Sequence, residues 1–260
     1  MKLVSKVILL IIIATILISG CSKEDNPFIP QDEGSYLWVH FGTDSSKVHF
    51  KDLVSFDVDG LDAIKLNNFV STELIPAFED KDGNLYESRK LYSYQLVGDD
   101  GFSASVKGYP NNTWDQLAAG HIIVDTRQIV FPDDILDLAG AYNVKDASHL
   151  YIHRKFDIVT ADTTAFIEIR TIDDQRIHNH NNILENAIPL KECIADYVTD
   201  YENHTYNIKA IDGFGPSEDL TWNYYNKGFW LLESEETIFN DATLVGGRYK
   251  IKALEKILVN

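Results

Sequence analysis

Two cysteines, one methionine and six arginines are all that this 260-residue chain has of three ordinary residue types. Two cysteines make at most one disulfide, which excludes the cross-linked scaffold of a small secreted domain. The basic residues are also few. Lys and Arg number 23 against 40 Asp and Glu, a net charge of −17. Such a surface repels phosphate backbones and anionic headgroups, so nucleic-acid binding and polybasic membrane docking are excluded. Cations, neutral ligands and basic proteins remain as partners. No G-x-S-x-G occurs, and no Ser/His/Asp order stands out, so nucleophilic catalysis has little support. The one long apolar run, Val7–Ile18, falls short of the roughly 20 residues that a membrane span needs.

The start of the chain is informative. MKLVSK carries two lysines, VILLIIIATILI is apolar, and Ile18-Ser19-Gly20-Cys21 follows. Positive, apolar and small-residue regions in that order read as a secretory signal. The ending resembles the lipobox of bacterial lipoproteins. That resemblance implies a signal peptide over 1–20 and lipidation of Cys21 by acyl chains such as palmitate. The membrane is then a partner through lipid on Cys21, and several chains together anchor stably. Ser22 after the cysteine favours the outer membrane, and Ser22-Lys23-Glu24-Asp25 is similar to a surface-export signal. Residues 21–34 read as an acidic, proline-containing tether. With Cys21 lipidated, Cys193 has no partner.

From Ser35 onward, short β-branched and aromatic runs alternate with Asp-Gly turns at 59–60, 82–83, 100–101 and 212–213. Two stripes have helical spacing: Leu66, Phe69, Val70, Leu74, and Leu190, Cys193, Ile194, Tyr197, Val198. DDILDLAG at 133–140 predicts a third, short helix. The expected class is α+β, mostly strand. Four blocks recur in one order. AIKLNNFVSTEL (63–74) matches AIPLKECIADYV (187–198), and YSYQLVGDDGF (92–102) matches HTYNIKAIDGF (204–214). HIIVDTRQIVFPDD (121–134) matches FWLLESEETIFNDA (229–242), and AYNVKDASHLYIH (141–153) matches RYKIKALEKILVN (248–260). This predicts an internal duplication with closely packed lobes at 35–160 and 161–260.

The order of AI-x-L helix start, strand ending in Asp-Gly-Phe, and closing strand with Lys252, Leu254 and Ile257 resembles the molybdopterin-binding domain of sulfite-oxidase-type oxidoreductases. The resemblance implies a β-rich mixed fold in two tandem repeats. For chemistry that family needs a protein thiolate upstream of the helix, because a soft sulfur ligand suits the metal. Cys193 lies inside the helical stripe and reads as a buried core thiol. The few arginines form no evident cluster for the pterin phosphate. MKLVSK lacks the arginine pair of folded export. No catalytic residue, metal or cofactor is expected, and the leading reading is a non-catalytic binding or assembly module. A molybdopterin-dependent oxidoreductase with atypical ligation is the alternative.

Other constellations read as structure. His178 and His180 in HNHNN have no Cys or carboxylate at zinc spacing and predict a polar loop. EDKDGNLYE (79–87) is similar to a calcium loop but puts Phe78 at the first ligand position, and reads as a hairpin turn. His149 and His153 on a strand would stand about 13 Å apart, too far to chelate together. The segments NNTWDQL and TWNYYNKGFW mix aromatic and amide side chains. Asn112, Trp114, Trp222, Tyr224, Tyr225 and Trp230 are therefore the expected ligand surface, for a neutral polar ligand or an envelope protein.

Overall fold

The computed structural model describes residues 35–133, 139–244 and 246–260. The expected signal peptide and tether, with Cys21, lie outside the described residues. The described chain is β-rich with few helices. Its strands are β1 (Tyr36–Phe41), β2 (Asp44–His49), β3 (Ser55–Val58), β4 (Leu61–Lys65), β5 (Phe78–Glu79) and β6 (Leu85–Tyr86). Next come β7 (Tyr92–Gly98), β8 (His121–Ile123), β9 (Ile129–Val130), β10 (Ala147–Val159), β11 (Thr164–Glu168) and β12 (Gln175–His178). The last six are β13 (Leu184–Pro189), β14 (Thr205–Ala210), β15 (Leu220–Thr221), β16 (Gly228–Leu231), β17 (Glu236–Phe239) and β18 (Leu254–Val259). Helices are short: α1 (Trp114–Ala119), α2 (Ala139–Tyr142), α3 (Leu190–Cys193) and α4 (Trp222–Tyr225).

An eight-stranded mixed sheet is organised by β10, whose 13 residues serve two sets of neighbours. Its first part pairs parallel with β1 and antiparallel with β7. Its second part pairs antiparallel with β11 and parallel with β18, which pairs in turn with β14. Two further four-stranded sheets have the orders β3-β4-β8-β9 and β12-β13-β16-β17. Burial follows the period of two expected for strands. Leu37, Val39, Leu150 and Ile152 face inward with Phe156 and Ile158. Two apolar clusters result, one built from residues between Leu37 and Ile152, the other between Phe156 and Val259. Along β10 the clusters part at Arg154 and Lys155.

The Asp-Gly-Phe corners have a plain physical cause. Asp100 Oδ1 accepts from Phe102 N at 2.9 Å, and Asp212 Oδ1 accepts from Phe214 N at 2.8 Å. Gly101 and Gly213 take φ of 79° and 81°, which an L side chain resists. Tyr94 Oη donates to Arg89 O and Tyr206 Oη to Tyr201 O, both at 2.7 Å.

The helical stripes need correction. Leu66–Phe69 is one 3-10 turn continuing out of β4, with Leu66 N donating to Gly120 O at 3.1 Å. Leu66, Phe69 and Val70 are buried, so one tight turn satisfies the apolar spacing and no α-helix is needed. The second stripe yields only α3, after which separate turns carry Ile194 and Val198 inward. Of the third, 134–138 lie outside the described residues, and Ala139 opens α2.

Candidate functional site

The six aromatic and amide residues expected to face a ligand are mostly interior. Asn112, Trp114, Tyr225 and Trp230 are buried, the last two among the largest fully enclosed side chains. Trp114 opens α1 under a capping box made by Thr113 and Gln116, and its ring packs 5.6 Å from Tyr94. Tyr225 stacks on Tyr206 at 4.4 Å, its hydroxyl donating to Leu190 O. Trp222 is half-buried against Tyr201, and only Tyr224 is exposed. These residues anchor core layers and do not form one surface. Aromatic rings are large enough that packing claims them first.

A different group converges on the outer face of β1 and β10. His40 and Tyr151 are cross-strand partners whose rings stack at 4.3 Å with planes 10° apart. His40 Nε2 and His149 Nδ1 share a hydrogen bond at 2.9 Å. Tyr151 is parallel to His153 within 8°, and Trp38 continues the row on β1. Alternation dictates this: Tyr36, Trp38, His40 and His149, Tyr151, His153 are the residues left outside when Leu37, Val39, Leu150 and Ile152 turn in.

This row leads into a cleft. β1 pairs with β10 as far as Ile152, and β11 takes up pairing at Lys155, so His153 and Arg154 pair with Ser93 and Tyr92 of β7 but with neither β1 nor β11. A space of about 480 Å³ is bordered by His40, Tyr92, Tyr151, His153, Arg154, Arg170 and Glu235. A second space of about 400 Å³ shares Phe41, Tyr92, Arg154 and Glu235 with the first.

Arg154 is held without a carboxylate. Its Nη1 donates to Leu91 O at 2.8 Å and to the Lys155 carbonyl, and Nη2 to the Leu254 carbonyl. The guanidinium lies 5.0 Å from the Phe156 ring and 5.3 Å from that of Trp230. Burial pushes its pKa down to about 10, which leaves it charged at neutral pH. Near His153, Glu168 accepts from Ser93 Oγ and Asn111 Nδ2, each at 2.6 Å, and from Arg170 Nε at 2.7 Å. Burial opposes its charge, yet these three donors outweigh burial and hold Glu168 below its ordinary value. Burial depresses His40, helped by the charge of His149. It also depresses His153, helped by Arg170 and opposed by Glu168. Both imidazoles are therefore neutral hydrogen-bonding groups at pH 7.

The remaining expectations fall as follows. Cys193 is fully buried, its Sγ 3.7 Å from Pro189 O, and burial pushes its pKa well above that of an ordinary thiol. A thiolate-ligated molybdenum group needs an accessible sulfur, which Cys193 does not supply, so this residue does not fit that group. Asp80 is saturated by Asp82 N, Asn84 N, Asn84 Nδ2 and Tyr86 Oη in the β5–β6 hairpin. His178 ends β12, and the tract after it turns through Asn179, whose N donates to Ile183 O at 2.8 Å. Among the described residues no three His, Cys, Asp or Glu side chains gather as metal ligands. No family model, curated protein or solved structure matches this chain.

Proposed function

We propose that this chain is a lipid-anchored, non-catalytic binding module of the cell envelope, whose ligand occupies the cleft beside His40, Tyr151 and His153. The observation that carries the site is the stretch His153–Arg154, paired with β7 but reached by neither β1 nor β11, where a row of rings meets a charged, partly enclosed hollow. Neutral imidazoles and a phenol offer donors and acceptors for hydroxyl groups. The ring edges supply apolar contact. That combination suits a saccharide better than an apolar ligand.

The anchor rests on the lipobox-like Ile18-Ser19-Gly20-Cys21 sequence. The proposed architecture is two copies of one unit resembling the sulfite-oxidase molybdopterin domain, with β10 closing the first and opening the second. Matching sheet orders and matching corners at 98–102 and 210–214 support the duplication. The relation to that oxidoreductase family rests on sequence motifs alone.

A glycan array probed with the full chain and with Tyr151→Ala tests the site. Binding of a defined glycan class by the wild type, lost in Tyr151→Ala, is expected. Glycan binding indifferent to Tyr151 would place the site elsewhere. Metabolic labelling with a fatty acid, compared between wild type and Cys21→Ser, tests the anchor.

A further inference from the structure

We infer that the saccharide taken by this cleft is acidic, with its carboxylate held by Arg170 and Arg154; this rests on the reading of the cleft as a saccharide site. The chain has six arginines, and two of them border the same small hollow. In a protein of net charge −17, a hollow whose own lining carries two arginines to one acid, Glu235, stands apart from the surface average.

Neither guanidinium is fully used. Arg154 has no acid within ion-pairing distance among the described residues, and its charge rests on three carbonyl oxygens and nearby rings. Glu235, Asp157 and Glu255 favour its charge only from beyond ion-pairing distance, and an anion in the adjoining space lowers the remaining cost of burying an unpaired cation. Arg170 gives its Nε to Glu168, while its two terminal amino groups have no protein acceptor among the described residues. Its side chain is 49% exposed, so those groups are available to solvent and ligand. A planar pair of N–H donors matches a carboxylate.

The acids nearby do not cancel this. Glu168 is committed to Ser93, Asn111 and Arg170 Nε. Glu235 stands exposed within the turn between β16 and β17, and favours the charge of Arg154 from a distance without an ion pair. His40 and His153, both depressed, are neutral at pH 7 and are left to bond hydroxyl groups of the sugar ring. A hexuronate residue combines the two features: a hydroxylated ring for the His40–Tyr151 row and one carboxylate for the arginines.

Calorimetry on the full chain with trigalacturonate and with neutral galactotriose tests this, using Arg170→Gln, Arg170→Lys and Tyr151→Ala beside the wild type. Arg154 is a poor target because its loss would unseat three carbonyls. The expected result is binding of the acidic sugar about tenfold or more tighter than the neutral one. Added salt should narrow that gap, Arg170→Gln should remove most of it, and Arg170→Lys should restore part. Equal or tighter binding of the neutral sugar, still sensitive to Tyr151→Ala, would overturn the acidic preference and leave the saccharide site standing. An acidic preference unchanged in Arg170→Gln would also overturn it. Absence of binding to either sugar, or binding indifferent to Tyr151→Ala, would overturn the site itself.

Discussion

His40 on β1 and Tyr151 on β10 face each other across a parallel strand pair, rings stacked 4.3 Å apart at 10°. Their inward neighbours Val39 and Ile152 are buried, so the stack is fixed from below by the first apolar cluster. Replacing Tyr151 by alanine removes a stack worth about 0.5–1.5 kcal/mol and leaves those contacts in place. Tyr151→Ala should remain folded, with a small loss in urea-unfolding free energy, while ligand binding at the cleft is lost. A loss of stability several times larger would assign Tyr151 to the fold instead.

Trp230 carries the opposite expectation. Its ring is edge-on to Phe156 at 5.4 Å and only 2% exposed. Trp230→Ala should cost about 3–5 kcal/mol by chemical denaturation, as large core truncations do. A well-folded Trp230→Ala protein with stability close to wild type would contradict its place in the core.

Gly120 and Gly228 test close packing at two comparable points. A Cβ on Gly120 would lie 2.5 Å from Phe131 Cε1 and 2.7 Å from Leu66 Cδ1. On Gly228 it would lie 2.7 Å from Phe239 Cε1 and 2.8 Å from Leu190 Cδ1. Each alanine variant should destabilise by about 1–3 kcal/mol through overpacking. Equal losses at the two sites are what a duplicated unit predicts, and a neutral result at one of them would break the parallel.

Much of this was legible in the chain. The Asp-Gly-Phe corners were, because glycine at positive φ and an aspartate accepting its neighbour's N–H are local chemistry. Strand alternation in YLWVHF and HLYIHRKF was legible for the same reason. The ligand site was not. His40 and His149 are 109 positions apart, and only strand register brings their nitrogens together. Nothing local reveals a register between distant strands. The aromatic-amide segments misled because composition alone does not say which face of a short helix is covered. The helical stripes misled because a 3-10 turn and a short helix can satisfy i, i+3, i+4 burial equally well.

Histidines set the acid response. His40, His121 and His153 all titrate below their ordinary value of 6.5, each chiefly through burial. A proton is therefore bound more weakly in the folded chain than in the unfolded one, and the unfolded state gains protons first as pH falls. Stability should be full above about pH 6.5 and fall as acidification passes through the folded values. Glu168, depressed from 4.5, adds its own loss only further down. Thermal melts between about pH 7.5 and pH 5.5 should show this decline, reduced in His153→Gln. An undiminished decline in a variant lacking all three histidines would contradict the assignment.

The most direct test of the account is solution NMR of the histidine ring resonances during titration with the glycan class that the array selects. His40 and His153 should shift together and saturably, while His178, His180 and His204, which do not border the cleft, stay still. Glycan bound with His40 and His153 unmoved would contradict the cleft as the site.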